Sequence, residues 1–257
     1  MAELPYFDLS GKVALVSGGA GGIGRGIAEG LAEAGADIVS GSRHLDRCVT
    51  ACNEIGARTG VRTLPLTLDV TDSKSVGRCV ADTIEALGHI DILVNNAGVI
   101  EEEFILEMDE GMWDRMLDTN LKGVFNLSRA AVKEMIERSE GGKVINVASI
   151  AGRIAWPKMS AYCAGKGGCI ELTKVMALEW ARYNIQANAI LPGYFLTPMS
   201  DAFVNSVEGD EVIRRDVPMR RVARTDEIKG LAILLASHAS SFITGAAFTI
   251  DGGQSCR

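Results

Sequence analysis

A tyrosine and a lysine stand four positions apart in the segment SAYCAGKGG. On a helix these residues, Tyr162 and Lys166, would share one face, because side chains four positions apart are neighbours there. An ammonium close to a phenol stabilises the phenolate, so such a pair can donate and accept a proton near neutral pH. A Tyr-x-x-x-Lys match is common by chance, and an exposed pair without function is the alternative interpretation.

Two more polar residues stand where a reaction site would need them. Ser149 directly follows KVINVA (143–148), an apolar run that predicts a strand, and it precedes Tyr162 by 13 residues. Ligands in open α/β sheets bind at the carboxyl ends of the strands. Asn120 lies in TNLKG, inside a stretch from about 112 to 138 whose pattern predicts one long helix.

A glycine-rich segment, GGAGGIG, joins the predicted strand KVALVS (12–17) to an amphipathic helix. Its glycines at 18, 22 and 24 would allow a tight turn and a close approach of the backbone to a pyrophosphate, which the helix N-terminus would then bind. The spacing is not the commoner dinucleotide spacing. A glycine-rich turn without a ligand is the alternative interpretation.

Short apolar runs alternate with amphipathic stretches along the chain. Seven strands are predicted, at 12–17, 36–42, 62–68, 90–95, 143–148, 185–190 and 246–250. Helices are predicted at about 23–35, 45–55, 73–87, 112–138, 160–181 and 225–236, with Thr225 as the N-cap of the last. Strongly apolar strands that alternate with helices predict an α/β fold. We expect one Rossmann-type doubly wound domain over residues 1–257, with a parallel sheet and helices on both faces.

Composition narrows the class of protein and of partner. The chain has 257 residues, 47% of them hydrophobic, and a formal net charge of -7. Such a surface repels nucleic acid and anionic membranes, so we expect a small-molecule substrate instead. No apolar run approaches the roughly 20 residues that span a bilayer. The six cysteines and three histidines lack metal-ligand spacing, and the start MAELPYFDLSGK does not resemble a signal peptide. We therefore predict a cytoplasmic protein without a metal.

These motifs together resemble the short-chain dehydrogenase/reductase family over nearly the whole chain. Ser17 stands where threonine is usual in the family and keeps the hydroxyl, while Asp69 in LDV matches an adenine-contacting aspartate. The NNAG segment at 95–98 and the PGYFLTP segment at 192–198 also match. Plain turn or cap residues are the alternative for each motif taken alone. The resemblance implies a seven-stranded parallel sheet in the order 3-2-1-4-5-6-7.

The resemblance also implies the roles of the site residues. Tyr162 would exchange a proton with the substrate oxygen, which Ser149 would hydrogen-bond. Lys166 would support the phenolate and bind the nicotinamide ribose, and Asn120 would hold a water of a proton relay. The implied cofactor-binding residues are Gly18, Gly21, Gly22, Ile23, Gly24, Ser42, Arg43, Asp69, Val70, Asn96, Ala97, Gly98, Tyr162, Lys166, Pro192, Gly193 and Thr197.

The end of the second strand predicts NADP(H) as the preferred cofactor. An acidic residue there would bind both ribose hydroxyls and repel a 2′-phosphate. This chain has Ser42 followed by Arg43, whose guanidinium can grip a phosphate, with Arg47 one turn further on. Gly21 stands where many NADP-dependent members carry a cation. The preference should therefore be moderate, and NAD(H) stays an alternative.

The substrate is less clearly indicated. The run EWARYNIQANAILPGYF resembles members that act on sugar acids and polyols, of the gluconate 5-dehydrogenase type. The alternative, 3-oxoacyl-acyl-carrier-protein reductase, usually has a basic residue where this chain has Leu178. A non-catalytic dinucleotide-binding regulator is a remote alternative. By analogy with the family, the pocket would be lined by Ile100, Ala151, Trp156, Tyr194, Phe195 and Met199.

A homotetramer is also expected. The predicted helices at 112–138 and 160–181 carry more apolar residues than one sheet face needs, and in the family they pair between subunits. The candidate interface residues are Val124, Leu127, Ala131, Met135, Ile170, Val175 and Leu178. The alternative is that all of them belong to the core of one subunit.

Overall fold

A computed structural model describes residues 5–256 of the chain, so residues 1–4 and Arg257 of the predicted domain lie outside the described part. Its seven strands form one sheet in the order β3-β2-β1-β4-β5-β6-β7, and every neighbouring pair is parallel. This confirms the predicted fold class and strand order. The third strand, which contains a proline, lies at the edge of the sheet as predicted.

The strands and helices alternate along the chain. The strands are β1 (Val13–Ser17), β2 (Asp37–Ser42), β3 (Thr63–Thr67), β4 (Ile92–Asn95), β5 (Gly142–Val147), β6 (Ile185–Pro192) and β7 (Ala247–Ile250). The α-helices are α1 (Gly22–Glu33), α2 (Leu45–Thr59), α3 (Ser73–Leu87), α4 (Glu110–Leu117), α5 (Gly123–Arg138), α6 (Ser160–Trp180), α7 (Asp201–Val204), α8 (Val207–Asp216) and α9 (Lys229–Ala236).

The central strands are apolar on both faces because helices cover both faces. Every residue of β1, β4 and β6 is buried. Side chains alternate across a strand, so Leu15 joins a core with α3, α5 and α6, whereas Ala14 and Val16 join a second core with α1 and α9. The apolar strands therefore contribute side chains to two hydrophobic cores, one on each face of the sheet.

The prediction of one long helix at 112–138 is wrong in one respect. It is divided into α4 and α5 by a π-helical turn at Asp118–Lys122. Asn120 on that turn is fully buried, donates from Nδ2 to the Val99 carbonyl oxygen at 2.8 Å, and accepts from the Val99 amide at 3.2 Å. A single extra residue in a helical turn often marks a functional position. It leaves the apolar period on either side almost unchanged, so the pattern does not reveal it.

The predicted N-cap of the last helix is also wrong. The segment Thr225–Ile228 is a 3-10 turn that leads into α9, and Arg224 precedes it as the capping residue. The Arg224 backbone amide donates to the Glu227 carboxylate at 2.8 Å. Thr225 instead packs against α1, because a Cβ placed on Gly26 of that helix would lie 2.2 Å from the Thr225 carbonyl oxygen. Thr225 therefore makes a tertiary contact with α1 and does not act as the N-cap.

Buried amides tie the sheet to α6. Asn95 Nδ2 donates to Asn146 Oδ1 and to Ser128 Oγ, both at 2.8 Å, and Asn146 Nδ2 donates to Thr173 Oγ1 at 2.9 Å. Unsatisfied polar groups are costly in a core, so this chain of bonds favours one arrangement of β4, β5 and α6. It thereby fixes the helix that carries Tyr162.

Most of the residues expected at a subunit interface belong to the core of one chain. Five of the seven are at most 6% exposed, whereas Val175 is 47% and Leu178 is 82% exposed. The five buried residues are Val124, Leu127, Ala131, Met135 and Ile170. Only the outer face of α6 therefore remains as a candidate interface among those positions. Within residues 5–256, no helix combines the length and the apolar character needed to cross a bilayer.

Candidate active site

The glycine loop is shaped by contacts that leave no room for side chains. Gly18 has φ +69°, and a Cβ there would lie 2.8 Å from Asn96 Nδ2. A Cβ on Gly24 would lie 2.3 Å from both the Gly18 carbonyl oxygen and Asn96 Nδ2. The loop is thus folded back on itself and pressed against the segment that follows β4. These two glycines keep the backbone compact, as a pyrophosphate cradle requires.

Helix α1 presents its first amides toward the loop. Its N-terminal residues are Gly22, Ile23 and Gly24, and the first described backbone bond of the helix runs from the Arg25 amide to the Gly21 carbonyl oxygen at 3.1 Å. Amides in a first turn have no acceptor within their helix, and the helix dipole adds positive potential there. The cradle therefore fits the anionic pyrophosphate of a dinucleotide.

The Ser17 hydroxyl joins the end of β1 to the NNAG segment. Ser17 Oγ accepts from the amides of Asn96 at 3.0 Å and Ala97 at 3.1 Å, and it donates to the Val94 carbonyl oxygen at 3.2 Å. The sequence indicated that a hydroxyl is kept at this position but gave it no role in the site. The structure shows that this hydroxyl holds the NNAG segment beside the glycine loop.

The ends of β2 and β3 bring Arg43 close to Asp69. The Asp69 carboxylate accepts from the Thr71 amide at 2.9 Å and from Thr71 Oγ1 at 2.7 Å. Partial burial raises the Asp69 pKa, but the Thr71 hydrogen bonds and the positive charge of Arg43 outweigh it, so the net pKa lies below the ordinary value. Asp69 is therefore anionic at neutral pH. The adjacent Val70 is buried and accepts from Asn126 Nδ2 through its carbonyl at 3.2 Å.

Ser42 closes a small turn that exposes Arg43. Ser42 Oγ accepts from the His44 amide at 3.1 Å and lies 3.2 Å from Cys48 Sγ. Arg43 is exposed and forms no ion pair with any residue between 5 and 256. The guanidinium is thus available at the edge where an adenosine ribose would lie. The Ser42 hydroxyl itself is already engaged within the protein.

The predicted catalytic residues converge at the carboxyl ends of β4 and β5. Lys166 is 5% exposed, donates to the Val147 carbonyl oxygen at 2.9 Å, and has its Nζ 5.7 Å from the centroid of the Tyr162 ring. A Cβ on Gly98 would lie 2.8 Å from Asn120 Oδ1 and 3.5 Å from Lys166 Nζ. Tyr162, Lys166 and Asn120 therefore surround one glycine of the NNAG segment.

Ser149 lies on a 3-10 turn that packs against the same helix. Its Oγ accepts from the Ala151 amide at 3.1 Å. A Cβ on Gly152, in this turn, would lie 2.8 Å from the Lys166 carbonyl oxygen, so the turn and α6 are in close backbone contact. The structure thus places Ser149 in the neighbourhood that the sequence predicted for it.

The segment after β6 reaches over the glycine loop. Pro192 ends β6, and the Gly193 amide donates to the Ile250 carbonyl oxygen at 3.0 Å. A Cβ on Gly22 would lie 3.3 Å from Thr197 Cβ, so this segment touches the start of α1. Next to it lies a cleft of about 450 Å³, lined by Leu196, Thr197, Pro198 and Asp201. The segment after β6 and the start of α1 therefore lie side by side, next to this cleft.

Two of the expected pocket residues, Phe195 and Tyr194, differ in exposure. Phe195 is 2% exposed and belongs to the core under α1 and α9, so the expectation that it lines the pocket is wrong. Tyr194 is partly buried and stacks on Phe203 with 5.6 Å between ring centroids. Burial raises the Tyr194 pKa, although an interaction with Gln254 opposes the shift. Tyr194 is therefore neutral at physiological pH.

Comparison with known proteins agrees with this geometry. A family model described as enoyl-(acyl carrier protein) reductase matches residues 18–255. A short-chain type dehydrogenase/reductase from Mycobacterium marinum is 38% identical in sequence, with a TM-score of 0.95 and 99% of each chain covered. The chain belongs to the short-chain dehydrogenase/reductase family. It is an oxidoreductase of the class that acts on CH–OH groups with a nicotinamide cofactor, and the glycine cradle fits that cofactor.

Named relatives of this dehydrogenase/reductase cover nearly its whole length. The 2-dehydro-3-deoxy-D-gluconate 5-dehydrogenase of Dickeya dadantii is 37% identical over 254 residues, 99% of each chain. The 3-oxoacyl-acyl-carrier-protein reductase of Thermotoga maritima is 35% identical, over 95% of this chain and 98% of its own. The crystal structure of a gluconate 5-dehydrogenase from Burkholderia cenocepacia, in complex with NADP and tartrate, is 37% identical, with a TM-score of 0.94 and 99% coverage of each chain.

The glycine loop gives a prediction that needs no cofactor. Gly24→Ala should lower the thermal stability of the protein without ligand, because the new methyl group meets backbone at 2.3 Å. Overpacking of this kind costs about 1–3 kcal/mol. Gly21→Ala is the matched control, since a Cβ there meets nothing within 4 Å. Equal melting temperatures for the two variants, measured by calorimetry, would contradict the described packing of the loop.

Proposed function

We propose that this chain is an NADP(H)-dependent oxidoreductase that interconverts a small polar ketone and its secondary alcohol, in the manner of gluconate 5-dehydrogenases. The observation that carries the proposal is the buried Lys166 ammonium, which lies beside the Tyr162 ring and next to Asn120. The similarity to gluconate 5-dehydrogenase and to 2-dehydro-3-deoxy-D-gluconate 5-dehydrogenase supports a small polar substrate of the sugar-acid or polyol type. Cofactor binding and catalysis then share one domain.

In this mechanism the protein handles the proton and orients the substrate. Tyr162 gives its proton to the carbonyl oxygen during reduction and takes one from the alcohol during oxidation. Ser149 donates a hydrogen bond to the same oxygen, since Oγ already accepts from Ala151 and its own proton has no acceptor among the described residues. NADP(H), when bound, supplies or accepts the hydride.

Lys166 and Asn120 support the proton transfer. Lys166 uses one donor on Val147, which leaves two for ribose hydroxyls and a relay water. A buried ammonium needs such partners, because an unpaired buried charge is costly. Both polar groups of the Asn120 side chain already bind Val99, so a relay water at Asn120 would bind chiefly to main-chain atoms of the π-helical turn.

The preference for NADP(H) rests on Arg43. Its exposed guanidinium lies within electrostatic range of Asp69, at the edge where the adenosine ribose would bind. No acidic side chain stands at Ser42 to repel a 2′-phosphate. The other proposed cofactor contacts are the loop amides, the NNAG segment and Thr197, which surround the same edge of the sheet.

Reduction of acyl-carrier substrates remains the second candidate, because a relative of that name matches nearly the full chain. An acidic carrier protein needs a basic docking surface. Leu178, where those reductases usually have a cation, is 82% exposed and apolar. This favours the small polar substrate. A non-catalytic regulator is disfavoured because all four catalytic positions are filled and packed together.

A cytoplasmic homotetramer is the proposed form of the enzyme. The outer faces of α5 and α6 expose Phe125 at 44%, Val175 at 47% and Leu178 at 82%. Apolar side chains grouped on one face are typical of an interaction surface. Location in the cytoplasm is supported by the described cysteines, none of which forms a disulfide.

Tyr162→Phe tests the proposed chemistry. The variant keeps the ring but loses the transferable proton, so kcat should fall by about 100- to 10,000-fold. Cofactor affinity, measured by fluorescence titration, should barely change, whereas Lys166→Met should weaken it through lost ribose contacts. Tyr183→Phe is the matched control and should retain full turnover. If Tyr162→Phe keeps most of its activity, the proposed acid/base is wrong.

Arg43→Ala tests the cofactor preference. Loss of a charged hydrogen bond should reduce kcat/KM for NADPH by roughly tenfold to a hundredfold and leave the value for NADH nearly unchanged. Arg182→Ala, in the turn before β6, is the control and should affect neither cofactor. Preference of the wild type for NADH, or an equal loss for both cofactors in Arg43→Ala, would refute this assignment.

Light scattering tests the assembly. The wild type should have the mass of four chains at micromolar concentration, and Leu178→Asp should dissociate it, because a charge would be buried in the interface. Leu106→Asp, at a position 94% exposed and outside α5 and α6, should leave the mass unchanged. A monomeric wild type would exclude the proposed tetramer.

A further inference from the structure

Three consecutive glutamates, Glu101, Glu102 and Glu103, stand shortly after the NNAG segment. They begin two residues after Val99, whose amide and carbonyl are both bound by the Asn120 side chain. The start of this acidic segment is therefore fixed to Asn120, which lies next to Gly98 together with Lys166.

The far end of the segment is fixed to the loop before Tyr162. The Glu103 amide donates to the Lys158 carbonyl oxygen at 2.9 Å, and Glu103 forms a parallel β-bridge with Met159. Met159 precedes Tyr162 by three residues. Glu102 thus lies between two attachments, one on the Asn120 side of the site and one on the Tyr162 side.

The contacts of Glu101 and Glu102 differ. The Glu101 carboxylate binds the Arg115 guanidinium of α4 at 3.1 and 3.3 Å. Glu102, held between the two attachments, is exposed and forms no hydrogen bond or ion pair with residues 5–256. Burial and the charges of Asp216 and Glu102 raise the Tyr194 pKa, so Glu102 lies within electrostatic range of the Tyr194 hydroxyl.

Three cations of this region are already engaged with other groups. Arg115 is bound to Glu101, and the Lys158 ammonium lies over the Phe104 ring at 4.8 Å from its centroid. Arg215, which also acts on Tyr194, is paired with Asp216 at 2.8 Å. Within the described residues, the exposed Glu102 carboxylate therefore has no cation paired with it.

We propose that Glu102 is a specificity determinant that makes this site select an uncharged polyol or ketose over the corresponding sugar acid. A carboxylate is a strong acceptor for substrate hydroxyl groups. It also repels a substrate carboxylate at short range. This inference rests on the proposed function and selects one of the two substrate types, polyols and sugar acids, that the related dehydrogenases suggest.

A matched pair of ketones separates the two substrate types. L-Sorbose and 5-keto-D-gluconate differ in having a hydroxymethyl group or a carboxylate at one end. The wild type should show kcat/KM at least about tenfold higher for L-sorbose at low ionic strength, as expected for two like charges near a protein surface. Added salt should reduce this ratio, because screening weakens repulsion between partly exposed charges.

Variants at Glu102 give the sharper test. Glu102→Gln should reduce the ratio about tenfold by removing the charge, and Glu102→Arg should reverse the preference. Glu107→Gln, an exposed glutamate further along the same stretch, is the control and should keep the wild-type ratio. A wild type that prefers 5-keto-D-gluconate, or a ratio unchanged in Glu102→Gln, would overturn the proposal.

Calorimetric binding of the matched alcohols D-sorbitol and D-gluconate to the NADP-loaded enzyme separates this inference from the proposed function. Preferential binding of D-sorbitol that depends on Glu102, without turnover of either ketone, would support Glu102 as the determinant and contradict the proposed reaction. Turnover of both ketones without preference would support the reaction and overturn the role of Glu102. Absence of binding by either alcohol would overturn the inference.

Discussion

A buried ammonium is the constraint on which the rest of the site depends. Lys166 is 5% exposed, and such a charge is tolerated only where hydrogen-bond acceptors meet it. Its described acceptor is the Val147 carbonyl oxygen, so the end of β5 must lie against α6. Asn120 Oδ1 and Lys166 Nζ both lie next to Gly98 of the NNAG segment. The NNAG segment and the π-helical turn must therefore also meet beside Lys166. One side chain thus fixes the relative position of four elements.

The neighbouring elements are built to permit this convergence. The amide chain from Asn95 through Asn146 to Thr173 holds α6 against two strands. Close backbone approach then needs small residues, and a Cβ on Gly152 would collide with the Lys166 carbonyl at 2.8 Å. Interior packing of this density transmits small displacements. A change in the amide chain should therefore disturb proton transfer as well as stability.

The sequence predicted most of the fold because its strands are apolar throughout, which is a strong signal for a sheet covered on both faces. It predicted the positions of Tyr162 and Lys166 because their spacing is local. Other features were not predictable in this way. The π-helical turn at Asn120 adds one residue without changing the apolar period, and the true partner of Thr225 is remote in the chain. Residues such as Leu127, apolar on a helix, have the same pattern whether they face their own core or a partner.

With Arg43 and Glu102 in their proposed roles, the charges of the site would give its two ends opposite preferences. A chain with a net charge of -7 must attract an anionic cofactor locally, and the proposed groups for this are the amides of α1 and the exposed Arg43. At the other end of the site, the exposed Glu102 lies within electrostatic range of a neutral Tyr194. The net negative charge of the protein repels an approaching anion over most of the surface, and the cofactor end of the site would be the exception. The same field that guides the phosphates to one end would thus exclude a carboxylate from the other, so cofactor selection and substrate selection follow from one distribution of charge.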